Sequence, residues 1–436
     1  MKKILIALLI LILIATATLF FWKDGRDTIT NFFTENNDFG SFFDVDPTSD
    51  NDFPPVPPAA TSTPVVPGPY EAPVLRQISF EPVSGFTFYA TTSTSTRVTS
   101  DPERGQVVQE YLATSTAVRF QERATGHVYD VFEFIESPLK VSNITIQKVY
   151  TTTFTNNRND FLMMSASQNN EQVKTTFGRI IPAKAETATA SSTEQIVEQK
   201  NISSVVNDLA YLPFINKIAY SVKKEIGSEI YTADPQRASE ALLTTLPFNE
   251  FTIDPLNNTE VMIQTKASAT SPGYSYTLNL TTGRLNKIIG DIAGLLTKIS
   301  PDLKYYLYSQ SDQSSPILRG YNTETDVTFR IGIHTIPEKC LFSPKNSALA
   351  YCFGSTAYAP ALYPDDWYKG RVFNRDNLYT IDFKTGFVES VYVFENDLSF
   401  DAYNPQLTFN DESILFQNKY DLTLWSIDLE ALNNQF

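Results

Sequence analysis

Asn377-Leu378-Tyr379-Thr380-Ile381-Asp382 is a short run of alternating apolar residues with an aromatic at its third position and an acid at its end, and it has copies elsewhere in the chain. They read Glu229-Ile230-Tyr231-Thr232-Ala233-Asp234, Tyr274-Ser275-Tyr276-Thr277-Leu278-Asn279 and Leu422-Thr423-Leu424-Trp425-Ser426-Ile427-Asp428, with a weaker form in Ile317-Leu318-Arg319-Gly320-Tyr321-Asn322. The closing Asp or Asn falls at positions 234, 279, 322, 382 and 428, spaced 45, 43, 60 and 46 residues apart. Alternation of this kind makes a strand with one face buried. A period of about 40–50 residues is that of a four-stranded unit repeated around a ring.

A hairpin precedes each of the later copies. Phe342-Ser343-Pro344-Lys345-Asn346 runs into the apolar Ala348–Tyr351, Ile299-Ser300-Pro301-Asp302 into Tyr305–Tyr308, and Leu407-Thr408-Phe409-Asn410-Asp411 into Ile414–Phe416. Each is a strand, a tight polar turn and a second strand. Two looser copies stand upstream. Gly126-His127-Val128-Tyr129-Asp130 follows Val118-Arg119-Phe120, and Val173–Phe177 follows Phe161–Met164. Counting third strands predicts an all-β, seven-bladed β-propeller, with six or eight blades as the alternatives. Abundant Tyr (22) and Phe (31) against four Met fit a strand-rich chain. The Ala/Thr/Ser-rich stretches 90–100 and 184–194 break the pattern and read as exposed loops.

The aromatic-Ser-Pro turn, the apolar strand and the aromatic-x-x-Asp strand together resemble the repeats of TolB-like β-propellers, WD-like repeats found in many exported bacterial proteins. The resemblance covers most of 74–436 and is strongest over 299–428. It implies the fold, and it hints at a place in an envelope assembly.

The two ends of the chain carry a further expectation. Gly283–Ile289 and Gly386–Val391 read as outer strands of the fourth and sixth blades, whereas only Leu429–Phe436 follows Asp428, a poor strand sequence. Val74-Leu75-Arg76-Gln77-Ile78-Ser79-Phe80 stands ahead of any hairpin. It is therefore predicted to pair with 421–428 and complete the seventh blade, because an open ring would leave an unpaired edge.

Ahead of the repeats, Lys2 and Lys3 precede an apolar run from Ile4 to Trp22, long enough to cross a bilayer as a helix. The flanking charges predict residues 1–23 to be an uncleaved anchor inserted through 4–22, with the N-terminus in the cytoplasm and the rest exported. Ala15-Thr16-Ala17 supports the competing reading of a cleaved signal peptide. Residues 24–53 are acidic with scattered Phe. Residues 54–73 carry eight prolines, and at about 3.1 Å per residue they would span roughly 60 Å. The expected domains are thus the anchor, a linker over 24–73 and a propeller over 74–436, on the cell membrane and facing outside. A formal net charge of −15 makes nucleic acid an unlikely partner.

Two cysteines, Cys340 and Cys352, lie equally far from the turn at Asn346, and in an exported chain they read as a disulfide across that hairpin or as two buried thiols. No catalytic constellation stands out. His127 and His334 lie in strand contexts, there is no Gly-x-Ser-x-Gly elbow or phosphate loop, and no cofactor or metal is implied. The 60-residue step contains an insertion, roughly Gly354 to Phe373, rich in aromatics. Tyr363, Asp365, Asp366, Trp367, Tyr368 and Arg371 are predicted to form a partner-binding loop projecting from the sixth blade, since Trp, Tyr and Arg dominate binding hot spots. The alternative is that the loop folds over its own blade. Adjacent carboxylates such as Asp365 and Asp366 do not naturally converge on one sugar or metal. The expected function is a non-catalytic module that binds a protein or the cell surface. An assembly subunit of an envelope machine and a carbohydrate-active or other hydrolytic propeller are the alternatives.

Overall fold

The computed structural model describes residues 73–433 except 102–104, 133–136, 143–144, 167–172, 182–195, 203–205, 313, 358, 396–397 and 409–410. The expected anchor, the acidic and Pro-rich linkers and the stretch 184–194 lie outside these residues. Among the described residues no helix is long and apolar enough to cross a membrane.

The strands form seven antiparallel four-stranded sheets. Six are continuous in the chain, over 83–140, 149–202, 208–246, 251–293, 297–330 and 340–392. The seventh takes three strands from Ala402–Leu407, Ser413–Asn418 and Leu424–Asp428, and its fourth from Leu75–Gln77. The chain is a seven-bladed β-propeller, and every repeat read from the sequence is the third strand of a blade.

The turn chemistry explains why the repeat ends in Asp or Asn. Asn279 Oδ1 accepts from the amides of Thr281 and Thr282, Asn322 Oδ1 from Glu324 and Thr325, and Asp382 Oδ1 from Lys384. Each side chain turns the chain toward the outer strand by mimicking a backbone turn. Gly283 and Gly386 then take positive φ (67° and 74°), which completes the reversal. At Asp428 the same acceptor serves Glu430 and Ala431, and caps a short helix, Leu429–Asn433, instead of a turn. The Ser of the upstream hairpin is the matching device: Ser343 Oγ accepts from Lys345 and Asn346, and Ser300 Oγ from Tyr305.

Burial is organised between blades. Val149, Phe154, Phe161 and Met163 of blade 2 pack on Val128 and Val141 of blade 1, and comparable clusters fill each later seam. The seam between blades 7 and 1 joins Ile78, Leu415 and Leu424 to Val83, Phe86, Val118 and Phe120. The N-terminal strand closes the ring through the registers Leu75↔Ile427, Arg76↔Ser426 and Gln77↔Trp425. Beyond the strand, Leu424 N donates to Ser79 Oγ at 2.9 Å and Val83 N to Leu422 O at 2.9 Å.

The stretch 90–100 is a correction. It is not a loop but part of the strand Val83–Asp101, which pairs one to one with Gly105–Glu122 from Gly85↔Gln121 as far as Asp101↔Gly105. The partner strand Gly105–Glu122 pairs with the third strand of blade 1 only from Val118 to Gln121, so the remainder is a two-stranded ribbon. A Thr-rich run favours extended backbone through its β-branched side chains even where composition suggests a loop.

In the first hairpin of blade 6, Cys340 and Cys352 are direct cross-strand partners, fully buried and joined sulfur to sulfur at 2.11 Å. Thiol titration of the denatured, unreduced protein should therefore find no free thiol, and reduction should cost at most ~3 kcal/mol because the closed loop is short. Two titratable thiols without reductant would rule the bridge out.

Candidate functional site at the channel mouth

In each blade the loop from second to third strand and the connection to the next blade share one face of the ring. The blade 6 insertion, between Leu349–Gly354 and Asn377–Asp382, is such a loop, and so it reaches its neighbours on that face. Ala361 N donates to Ser314 O of blade 5 at 2.9 Å, and Ala269 N of blade 4 donates to Asp365 Oδ2 at 2.6 Å. Asp366 stays local, accepting from Leu362 N at 3.0 Å and from Arg371 at 3.1 Å. The two adjacent carboxylates therefore serve different backbone groups.

The expectation of a projecting loop is corrected here. Tyr363 and Trp367 are 2% and 1% exposed and pack with Leu296 and Ile336. The single helical turn Asp365–Tyr368 drives Trp367 inward, where its Nε1 donates to both oxygens of Asp401 at 3.0 and 2.9 Å. The insertion bends over the mouth because burying these rings outweighs leaving them in water. Tyr368, 45% exposed, is the aromatic of the set that stays accessible, and Arg371 is exposed.

Beneath Trp367 is a buried charge cluster that sequence reading missed. Lys339, 1% exposed at the end of the turn Pro337–Lys339, pairs with Asp376 at 2.7 Å and with Asp401. Burial opposes its charge, but the two carboxylates more than compensate and hold its pKa above the ordinary lysine value. Burial pushes Asp376 upward against the pull of Lys339. Lys419 of blade 7 donates to Trp367 O and lies 4.0 Å from the centre of its ring. These residues come from four separate connections, and no spacing in the sequence links them.

Next to this lid is a pocket of about 280 Å³, walled by Ser84 and Arg123 of blade 1, Tyr150 of blade 2, Tyr403 and Asn404 of blade 7, and Tyr368 of the lid. Its construction is specific to this sector. The first strand slips against the second at Val83/Gly85 in blade 1, at Val149/Thr151 in blade 2 and at Tyr403/Gln406 in blade 7. In blades 3 to 6 the same pairing has no slip. A bulge re-aims the side chains it displaces, and the displaced residues Ser84, Tyr150 and Asn404 all stand in the pocket wall. Tyr150 is 46% and Tyr403 42% exposed.

Glu338 faces the channel and accepts from Tyr368 Oη at 2.6 Å. The residue keeps contact with solvent, but the protein packed around it strips enough water to push its carboxyl up to about 7. The folded protein thus holds this proton more tightly than the unfolded chain, so ionisation costs stability as pH rises from about 4.5 through about 7. Carboxyl-carbon NMR should place the Glu338 midpoint near neutrality. Glu338→Gln should gain stability relative to the parent between about pH 5 and about pH 8, and an equal offset at both would refute the assignment.

His127 bonds Thr145 at 3.0 Å in blade 1, while His334 bridges to Ser355 beside blade 6, so the two histidines do not meet. Among the described residues no group of three or more His, Cys, Asp or Glu is placed to hold a metal ion.

Among solved structures, the chain is similar to an oligogalacturonate lyase from Vibrio parahaemolyticus, at 11% identity over 78% of this chain and 98% of that one, TM-score 0.41. It is similar to TolB from Acinetobacter baumannii, at 13% identity over 78% and 79%, TM-score 0.33. It is also similar to hydrazine synthase from Kuenenia stuttgartiensis, at 9% identity over 72% and 92%, TM-score 0.46. No protein-family model matches the sequence, and no curated protein matches it.

Proposed function

We propose that this chain is a membrane-anchored, extracytoplasmic, non-catalytic propeller that recognises a protein partner at the mouth of its channel. The observation that carries this reading is the coincidence of three inner-strand bulges, in adjacent blades, with one pocket of accessible tyrosines. Tyrosine supplies large amphipathic contact area with few rotatable bonds, which suits protein recognition. The buried carboxylates beside the pocket are engaged in holding the lid, Asp401 on Trp367 and Lys339 and Asp376 on Lys339. The anchor and outside location follow from the apolar run 4–22 and the lysines ahead of it.

The test is affinity capture from the membrane fraction, followed by mass spectrometry, with the parent and with Tyr150→Ala/Tyr403→Ala. Both rings are half exposed, so the variant should keep its melting temperature and lose the captured partner. Equal capture by parent and variant would refute the reading. Trp367→Ala is unsuitable for this purpose, because truncating a buried tryptophan costs about 3–5 kcal/mol by itself.

A further inference from the structure

The pocket carries positive charge in an acidic protein. Arg123, in the second loop of blade 1, and Lys419, in the corresponding loop of blade 7, both stand in its wall. The Arg123 guanidinium lies 5.9 Å from the centre of the Tyr150 ring, and neither cation forms an ion pair with a carboxylate among the described residues. By contrast, Arg119, which lies outside this pocket, is paired with Asp130 at 2.7 Å. Burial lowers the Lys419 pKa against the attraction of Asp401 and Glu338, and its ammonium, with one of three donors given to Trp367 O, has donors left for an anion. Asn404 and Ser84 add polar groups at the bulges.

Resting on the proposed role of the mouth in partner binding, we infer that this pocket takes a carboxylate of a peptide, gripped by Arg123 and Lys419 between Tyr150 and Tyr403. A guanidinium matches a carboxylate in a two-point geometry, and capture of a chain-terminal carboxylate is a recurring recognition mode. A volume of about 280 Å³ suits one residue with its carboxylate rather than a folded surface. An acidic sugar fits less well. Its usual stacking partner, tryptophan, is closed off here, 1% exposed with Lys339 and Lys419 over its ring at 5.2 and 4.0 Å, which leaves only the smaller faces of Tyr150, Tyr368 and Tyr403.

The experiment uses the full chain in detergent and pooled random hexapeptides, N-acetylated, prepared as free acids and as C-terminal amides, each with and without Asp and Glu. Oligouronates form a separate arm. Enrichment of the free acids over the amides lacking Asp and Glu is expected, with affinity falling about tenfold or more in Arg123→Gln and weakening with salt. Enrichment of amides containing Asp or Glu would make the side-chain carboxylate the source. Equal binding of the uncharged amides, binding of oligouronates alone, or no binding in any arm would overturn the inference. If Arg123→Gln keeps the partner that Tyr150→Ala/Tyr403→Ala loses, the carboxylate fails while the binding role of the mouth survives. Arg123→Lys, which keeps the charge but not the fork, should fall between parent and Arg123→Gln, and near-UV circular dichroism checks that each variant is folded.

Discussion

Lys339→Met should lower stability by about 3–5 kcal/mol, the usual cost of removing one partner from a buried ion pair. Lys339 is 1% exposed and is the cation facing Asp376 and Asp401, whose side chains are fully buried. Methionine fills similar space but leaves two carboxylates close together with no counter-charge. Asp376 already has one oxygen buried without a hydrogen bond among the described residues. The damage should grow with pH. In the variant both carboxyls favour their protonated forms in the folded state, so stability is retained in acid and lost as pH rises through the raised pKa values. Adding Asp376→Asn should recover part of the loss, since Asn keeps an acceptor for Ala402 N, now 2.8 Å from Asp376 Oδ2. Urea midpoints at acidic and neutral pH, with tryptophan fluorescence reporting on Trp367, test this. A Lys339→Met variant as stable as the parent at neutral pH would show that the cluster is dispensable.

Replacing 74–80 by a Gly/Ser spacer should cost about 5 kcal/mol, while deleting 24–53 should leave the unfolding midpoint unchanged. Full burial of Ile78 contributes about 2 kcal/mol, partial burial of Leu75 about 1, and the backbone hydrogen bonds to Leu424–Asp428 about 1 kcal/mol or less apiece. Loss of this strand leaves Leu424–Asp428 as an edge and strips Ile78 from the seam between blades 7 and 1. The ring is closed by pairing between sequence-distant ends, so no local contact compensates. Thermal unfolding followed by circular dichroism decides, and equal midpoints for the two deletions would show that the strand does not hold the ring.

The fold was readable because its signals are local. An Asx turn needs only the Asp or Asn at the end of a strand and the few amides after it, so Asn279, Asn322 and Asp382 mark third strands in any blade. The closing strand was also readable: Val74–Phe80 is a strand sequence without a hairpin of its own, and Leu429 to Gln435 is a poor β sequence for the outer strand after Asp428. The hairpin position of Cys340 and Cys352 follows from symmetry about one turn. The ribbon over 90–100 is masked by its Ala/Thr/Ser composition, which suits a loop, although Thr also favours extended backbone.

The mouth of the channel was largely hidden. The insertion was visible as a 60-residue step with five aromatics, yet whether those rings face a partner or a core depends on what lies beneath them. Lys339 and Asp401 supply that from two other connections, and Asp376 from the far end of the same loop. Arg123, Tyr150, Tyr403 and Lys419 lie up to 296 residues apart, and each alone is an ordinary surface residue. The sequence by itself determined the strand order, the blade period and how the ring closes, because hydrogen-bonded turns and alternating burial act over a few residues. Which side chains share a pocket was decided only by ring closure, which brings blade 7 against blade 1, and by the three bulges that put Ser84, Tyr150 and Asn404 into its wall.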